Sequence, residues 1–259
     1  MGIRSVAAAA KIGFMILLAQ GVAAQAAQVK VLSAVAMRSV MNELGPQFER
    51  ATGHKLVIKF EVIGVLKRQV DAGEAFDVAI LTSNTIDDLV KAGKIAAGTR
   101  ADIARSGIGV VVRAGVPKPD ISSADAFKRA MLNAKSITYA KDTPPAIHIA
   151  SLVERLGIAE QMKPKIKLLE GAGGTGRIVH AVAAGEADLG FAVISAIDLV
   201  PGAELLGPLP PELQNDIVYT GGVGAAAKEA DAGKALIKFL MVPAAVAVIK
   251  SKGMEPGTP

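Results

Sequence analysis

Short apolar runs alternate with longer amphipathic stretches along the chain after residue 26, and this alternation limits the possible folds more than any other feature. Strands are predicted at Val29–Ser33, Lys55–Val62, Asp77–Leu81, Gly107–Arg113, Ser136–Ala140, Ile166–Leu169 and Leu189–Ile194, and a last apolar, Gly-rich run spans Ile217–Ala226. Helices are predicted at Met37–Ala51, Val65–Ala72, Ile86–Ala92, Ala124–Leu132, Ala146–Leu156, Ile178–Ala184 and Ala230–Ile249. This series of strands and helices predicts an α/β protein.

A short sequence repeat gives information on the number of lobes. The segment Ala72–Asp77 reads AGEAFD and is followed by VAIL, and Ala184–Asp188 reads AGEAD and is followed by LGFAV. Both have the form of a helix end, a tight turn and a buried strand. The repetition favours two α/β lobes over one continuous sheet. The alternative is that Ala-Gly-Glu-Ala is ordinary chemistry for the end of a helix.

The N-terminal segment predicts the compartment. Arg4 and Lys11 precede the apolar run Ile12–Ala19, and small residues follow at Val22–Ala27. This is the pattern of a cleaved secretory signal peptide, and its apolar core is too short to span a bilayer. Residues 1–26 are therefore left out of the predicted fold, and the protein is expected in the periplasm. A buried N-terminal helix is the alternative.

Composition excludes several kinds of site. The chain has no cysteine, and its three histidines have no metal-ligand spacing, so neither a metal site nor a cofactor is expected. Aromatic residues make up 3% of the chain, Trp is absent, and the 29 basic residues are scattered among 24 acidic ones. The stacking platforms and basic stripes of nucleic-acid binders are thus missing.

Four predicted helix starts are the candidate binding elements. Each follows a strand or an extended segment, and they lie at Ser33–Met37, Val62–Val65, Asp142–Ala146 and Gly171–Gly176. The start of a helix has unpaired backbone N–H groups and a partial positive charge, so it can hold an anion. Any one of them alone is also consistent with a plain loop. Their recurrence predicts a small anion bound in a cleft.

Other chemistry is weakly supported. Gly171, Gly173 and Gly176 fit a dinucleotide-binding fingerprint, but the next strand ends without the acidic residue that this fingerprint requires. Arg177 stands where a phosphate-binding loop needs Lys. No nucleophile with a nearby base is recognisable, so the chain is not expected to be an enzyme. The competing interpretation is a secreted enzyme that uses His148 and His180 as acid and base.

Several segments together resemble the molybdate-binding proteins of ABC importers. They are VKVLSAVAMRSVMNELGPQFERATG, LKRQVDAGEAFDVAIL, the Pro-Ala turn before IHIASLVERLGI, GRIVHAVAAGEADLGFAVIS and ALIKFLMVPAAVAVIKSKGM. The resemblance implies a type II periplasmic-binding-protein fold, with lobe one at 27–108 plus 200–259 and lobe two at 109–199. It also implies a mixed sheet flanked by helices in each lobe, a molybdate-like or tungstate-like oxyanion in the cleft between the lobes, an ABC permease as partner, and a monomer.

That family holds its oxyanion with serine hydroxyls, backbone N–H groups at helix starts and a tyrosine hydroxyl. The matching positions in this chain are Ala36 with Met37, Gly64 with Val65, Ala146, Thr175 with Gly176, and Val193. The backbone frame is kept, whereas three hydroxyls are absent. Arg38, Arg177 and His148 are candidate replacements, and a guanidinium pairs well with a carboxylate. An organic carboxylate is therefore the alternative ligand, and a secreted sensor is an alternative to transport.

Overall fold

The computed structural model describes residues 26–169, 174–197 and 200–257. The predicted signal peptide up to Gln25 and the glycines at 171 and 173 lie outside these residues. The described strands are β1 (Gln28–Ala34), β2 (Lys55–Glu61), β3 (Val78–Thr82), β4 (Ala101–Ser106), β5 (Ile108–Arg113), β6 (Ile137–Ala140), β7 (Ile166–Leu169), β8 (Leu189–Val193), β9 (Ala203–Pro208), β10 (Ile217–Val223) and β11 (Glu255–Pro256). The described helices are α1 (Arg38–Thr52), α2 (Ile63–Asp71), α3 (Ser83–Lys91), α4 (Ala124–Asn133), α5 (Pro144–Arg155), α6 (Ala159–Met162), α7 (Gly174–Ala183), α8 (Ala230–Phe239) and α9 (Pro243–Ser251).

The strands form two mixed sheets, and each sheet is the centre of one lobe. The first sheet has the order β11-β4-β10-β3-β1-β2, with β1 parallel to β2 and β3 and with β10 antiparallel to β3 and β4. The second has the order β7-β6-β8-β5-β9, with β6 parallel to β7 and β8 and with β5 antiparallel to β8 and β9. The predicted α/β fold with two lobes is confirmed.

The two copies of the sequence repeat form the same structural unit, one in each lobe. In the first, the Asp77 carboxylate accepts a hydrogen bond from the backbone N–H of Lys30, at the start of β1, at 2.8 Å. In the second, the Asp188 carboxylate accepts from the N–H of Lys135, just before β6, at 2.6 Å. Each aspartate thus joins the strand that it precedes to the neighbouring parallel strand.

Two segments connect the lobes. The chain leaves the first sheet after Ser106 and enters the second at Ile108, and it returns between Pro208 and Ile217. The predicted boundary at residue 200 differs from the structure, because β9 lies beyond it and pairs with β5. The second sheet therefore extends to Pro208.

Some predicted elements need correction. The single helix predicted at Ala230–Ile249 is two helices, α8 and α9, because Pro243 begins a new one. Strands β4 and β9 were not predicted, since charged or irregular residues interrupt their apolar pattern. Among the described residues no single helix is long and apolar enough to cross a membrane, and α8 with α9 meets that test only as a pair bent by 66°.

Candidate ligand-binding cleft

A small cavity lies where the carboxyl ends of the parallel strands of both sheets face each other. Its volume is about 30 Å³, which is room for about two water molecules. The residues that line it are Ala34, Val35, Ala36, Glu61, Val62, Ile63, Ala140, Thr143, Pro144, Pro145, Thr175, Ile178, Phe191, Ala192, Val193, Ala196 and Tyr219. Most of these side chains are apolar, so the polar groups of the cavity are few and individually important.

Helix starts point into this cavity from both lobes. Helix α2 begins at Ile63 after β2, and no side chain caps its first turn. Helix α5 begins at Pro144, and the Thr143 hydroxyl donates to the carbonyl oxygen of Ala140 at 2.6 Å instead of capping the helix. Proline has no N–H group, so the first N–H that α5 offers belongs to Ala146. The first turns of α2 and α5 therefore keep N–H groups available to a ligand.

Tyr219 contributes a buried hydroxyl to the cavity. It lies on β10, its side chain is 1% exposed, and burial raises the pKa of its hydroxyl group with no contribution from a hydrogen bond or a neighbouring charge. The hydroxyl makes no hydrogen bond to another described residue, and it is not one of the fully enclosed side-chain atoms that lack a partner, so it is accessible from the cavity. A ligand in the cavity would provide the missing acceptor.

Glu61 contributes a carboxylate. It is the last residue of β2, and its register partner in β1 is Ala34, which also lines the cavity. Its Oε1 atom accepts a hydrogen bond from the backbone N–H of Val62 at 2.8 Å. The sequence analysis missed both Glu61 and Tyr219. The position of Glu61 next to a predicted helix start was an available signal, whereas nothing local in the sequence marks Tyr219.

The structure brings together some of the residues predicted to bind ligand. Ala36, Thr175 and Val193 line the cavity, and Ala36 and Val193 are buried. Gly64 and His148 line a larger groove beside it. Positions 36 and 193, which lack the expected hydroxyl groups, therefore lie in the wall of the cavity.

The remaining candidates lie in neither the cavity nor the groove. Met37 is fully buried in the core, and the Arg38 guanidinium lies over the ring of Phe60, 5.4 Å from its centroid. Val65 is half-buried in α2, and Ala146 is half-buried against the core. The first-turn residues Gly176 and Arg177 of α7 are exposed. Ligand binding through the backbone N–H groups of Met37, Ala146 and Gly176 and through the Arg177 guanidinium stays a prediction. The N–H of Val65 already donates to the carbonyl oxygen of Val62 at 3.1 Å.

The two histidines of the competing enzyme interpretation do not share a pocket in the described structure. His148 lines the groove, and its Nε2 atom is 2.7 Å from the carbonyl oxygen of Leu213. His180 is exposed on α7 and lines neither the cavity nor the groove. Within the described residues, no cluster of acidic and histidine side chains could hold a metal ion.

The groove continues the cavity outward. Its volume is about 870 Å³, and it shares Ile63, Thr143 and Pro144 with the cavity. Lys67 and Arg68 of α2 line it. Across the groove, Nη1 of Arg68 is 3.4 Å from Oδ2 of Asp142. Gly64 faces the same aspartate, and a Cβ atom at position 64 would lie 3.0 Å from the Asp142 Cβ atom.

Two mixed α/β lobes with helix starts that converge on a cleft define a two-lobed solute-binding protein. The family model for bacterial extracellular solute-binding proteins matches residues 29–255, so the chain belongs to that family.

Two relatives and one solved structure are similar to the chain. An aconitate isomerase from Pseudomonas sp. is 30% identical over 232 residues, which cover 87% of each chain. The molybdate-binding protein ModA of Azotobacter vinelandii is 30% identical, over 89% of this chain and 91% of that protein. A solved structure of the Azotobacter vinelandii periplasmic molybdate-binding protein superposes with a TM-score of 0.71 at 22% identity, over 87% of this chain and 98% of that one.

Proposed function

We propose that the protein is an extracytoplasmic solute-binding protein that captures a small organic polycarboxylate and delivers it to an ABC permease. The main support for a polycarboxylate ligand is that the cavity continues into the groove. The cavity has room for about two water molecules, so it accommodates one carboxylate group, and the rest of a larger ligand lies in the groove.

The walls of the cavity favour a carboxylate over a tetrahedral oxyanion. A tetrahedral oxyanion has oxygens on all sides, and each oxygen that is left without a donor after burial costs about 1–3 kcal/mol. Ala36 and Val193 offer no side-chain donor, and Pro144 and Pro145 offer no N–H group. A carboxylate needs donors on one side only, and the carbon skeleton behind it suits apolar walls.

The groove supplies positive charge for the further carboxylates. Lys67 pairs with Asp71 at 2.8 Å, and Arg68 pairs with Asp142 at 3.4 Å, both in exposed surroundings. Exposed ion pairs contribute little stability, so a ligand carboxylate can replace Asp142 beside Arg68 at small cost. The planar guanidinium can then bind that carboxylate through two hydrogen bonds.

Isothermal titration of the mature protein tests this proposal. The probes are citrate, tricarballylate, trans-aconitate, molybdate, tungstate and sulfate. We expect at least one tricarboxylate to bind more tightly than every inorganic oxyanion. Tighter binding of molybdate or tungstate than of all the tricarboxylates would contradict the proposed ligand class and would leave the solute-binding fold unaffected.

Arg68→Gln should weaken tricarboxylate binding by about tenfold, because a charge-assisted hydrogen bond is lost. Lys118→Gln is the matched control, since Lys118 forms a surface ion pair with Glu204 and lies outside the cleft. Equal losses in the two variants would place the ligand away from the groove.

A second candidate function is isomerisation of an unsaturated tricarboxylate. It is favoured by the similarity to an aconitate isomerase and by the carboxylate of Glu61 and the hydroxyl of Tyr219 in one cavity. Moving a carbon–carbon double bond requires one proton to leave one carbon and another to be delivered elsewhere, and both groups can transfer protons. Proton NMR spectra of trans-aconitate incubated with the protein would show a second isomer if the protein has this activity. An unchanged spectrum at high protein concentration would exclude it.

A further inference from the structure

The carboxylate of Glu61 is an unexpected group in a cleft that holds an anion. Glu61 lines the cavity directly beside the first turn of α2, where a ligand carboxylate would receive backbone N–H groups. Its Oε1 atom already accepts from the N–H of Val62. An acidic side chain at this point opposes the binding of any fully ionised ligand.

The cations of β2 and α2 pair with carboxylates other than Glu61. Lys59 pairs with Glu74 at 3.0 Å, and Arg68 pairs with Asp142. In the described part of the chain no ion pair involves Glu61. An ionised carboxylate can only accept hydrogen bonds, so a favourable contact with the Oε2 atom of Glu61 must come from a donor.

Tyr219 provides the complementary group. Tyr219 is a buried residue that lines the same cavity, and its hydroxyl makes no hydrogen bond to another described residue, so it can donate to an acceptor of the ligand. Glu61 lies on β2 and Tyr219 on β10, and the strand order β10-β3-β1-β2 places two strands between them. The cavity therefore presents a donor and an acceptor at separate points.

We propose that Glu61 is a specificity-determining residue, which selects a ligand with a hydrogen-bond donor next to its carboxylates, as in a hydroxy polycarboxylic acid. This inference rests on the proposed function and narrows its ligand class. The hydroxyl of the ligand donates to Glu61, while a ligand carboxylate accepts from Tyr219 and from the N–H groups of α2. A polycarboxylate without a donor places two acceptors against each other and binds more weakly.

Citrate and tricarballylate provide a matched pair of probes, because they carry the same three carboxylates and differ in one hydroxyl group. Isothermal titration is carried out at about pH 8, where both are fully ionised. In the wild-type protein we expect citrate to bind at least about tenfold more tightly than tricarballylate. In Glu61→Gln we expect tricarballylate to bind more tightly than it does to the wild type, and the preference for citrate to fall below about threefold.

Glu74→Gln is the control, because it removes an exposed glutamate of the same lobe that pairs with Lys59. It should keep the wild-type preference. Equal binding of citrate and tricarballylate to the wild type would overturn the inference without any variant, and so would an unchanged preference in Glu61→Gln. If neither tricarboxylate bound to the wild-type protein, the proposed function would fail as well, so the two failures are distinguishable.

Discussion

The side-chain amide of Gln214 holds both backbone polar groups of Ile108. Its Oε1 atom accepts from the N–H of Ile108 at 2.8 Å, and its Nε2 atom donates to the carbonyl oxygen of Ile108 at 3.0 Å. Ile108 follows the first segment between the lobes, and Gln214 lies in the second. One side chain thus joins the start of β5 to the second connecting segment.

Replacing this amide should destabilise the protein. Gln214→Ala removes both hydrogen bonds and leaves the N–H of the buried Ile108 without its partner, while the carbonyl oxygen of Ile108 keeps the hydrogen bond from the N–H of Leu209 at 3.0 Å. We therefore expect a loss of about 1–3 kcal/mol in the free energy of unfolding. Urea unfolding followed by circular dichroism measures it. The control is Gln161→Ala on the exposed surface of α6. A change of less than about 0.5 kcal/mol for Gln214→Ala would show that the amide is dispensable.

The two aspartates of the sequence repeat, Asp77 and Asp188, should differ in their contribution to stability. Asp77 is buried and accepts from three backbone N–H groups, those of Lys30, Lys228 and Glu229. Asp188 is exposed and accepts from one, that of Lys135. We expect Asp77→Ala to cost about 3 kcal/mol and Asp188→Ala about 1 kcal/mol in urea unfolding. Equal costs would contradict the assignment of the difference to hydrogen bonding and burial.

Close approach of the lobes at Gly64 should be necessary for tight binding. Gly64→Ala places a Cβ atom 3.0 Å from the Asp142 Cβ atom and 3.3 Å from its carbonyl oxygen, so the backbone at Asp142 must shift by a few tenths of an ångström. We expect ligand affinity to fall by about tenfold. Isothermal titration with the tightest-binding tricarboxylate measures this loss.

Gly45→Ala in α1 is the control for this substitution, because an added Cβ atom there would make only ordinary contacts of 3.5 Å and 3.8 Å. It should leave the affinity unchanged. A Gly64→Ala variant with wild-type affinity would show that the cleft does not close at this point.

Tyr219→Phe should separate the effect of the hydroxyl on binding from its effect on stability. Because the hydroxyl makes no hydrogen bond to another described residue, its removal should change the free energy of unfolding by less than about 0.5 kcal/mol near pH 7, while ligand affinity falls by about tenfold. Unchanged affinity would show that the hydroxyl does not contact the ligand.

The same variant should change the response to alkaline pH. Burial raises the pKa of Tyr219 above the value of about 10 in the unfolded chain, so the folded state holds the phenol proton more tightly. Stability is therefore unaffected below about pH 10 and falls as the pH rises toward the raised pKa. Burial also raises the pKa of Tyr139, so Tyr219→Phe should reduce this loss only in part. Urea unfolding between about pH 9 and about pH 11 checks the difference.

The sequence predicted the features of the fold that depend on local pattern. β3 is a continuous apolar run, and the structure buries it along its whole length. β4 was missed because Asp102 and Arg105 interrupt its apolar residues, and the strand exists because β10 and β11 pair with it from both sides. Such pairing joins segments that are distant in sequence, so no local window contains its signal.

The residues of the cleft also divide into those that a local sequence pattern predicts and those that depend on distant segments. The helix start at Val62–Val65 was predicted from a local pattern, and Val62 and Ile63 line the cavity. Tyr219 reaches the cavity only because β10 returns to the first sheet and pairs with β3. Arg38 was predicted to contact the ligand because it lies in the first turn of α1, but its guanidinium lies over the ring of Phe60 in β2. In both cases the position of the side chain depends on a strand that is distant in the sequence.

A crystal structure of the protein with the tightest-binding tricarboxylate would test the central claim most directly. We expect one carboxylate in the cavity, within hydrogen-bonding distance of the Tyr219 hydroxyl and the first turn of α2, and a second carboxylate in the groove beside Arg68. Density for the ligand outside the cleft, or displacement of the tricarboxylate from the cavity by an equimolar tetrahedral oxyanion, would contradict the account.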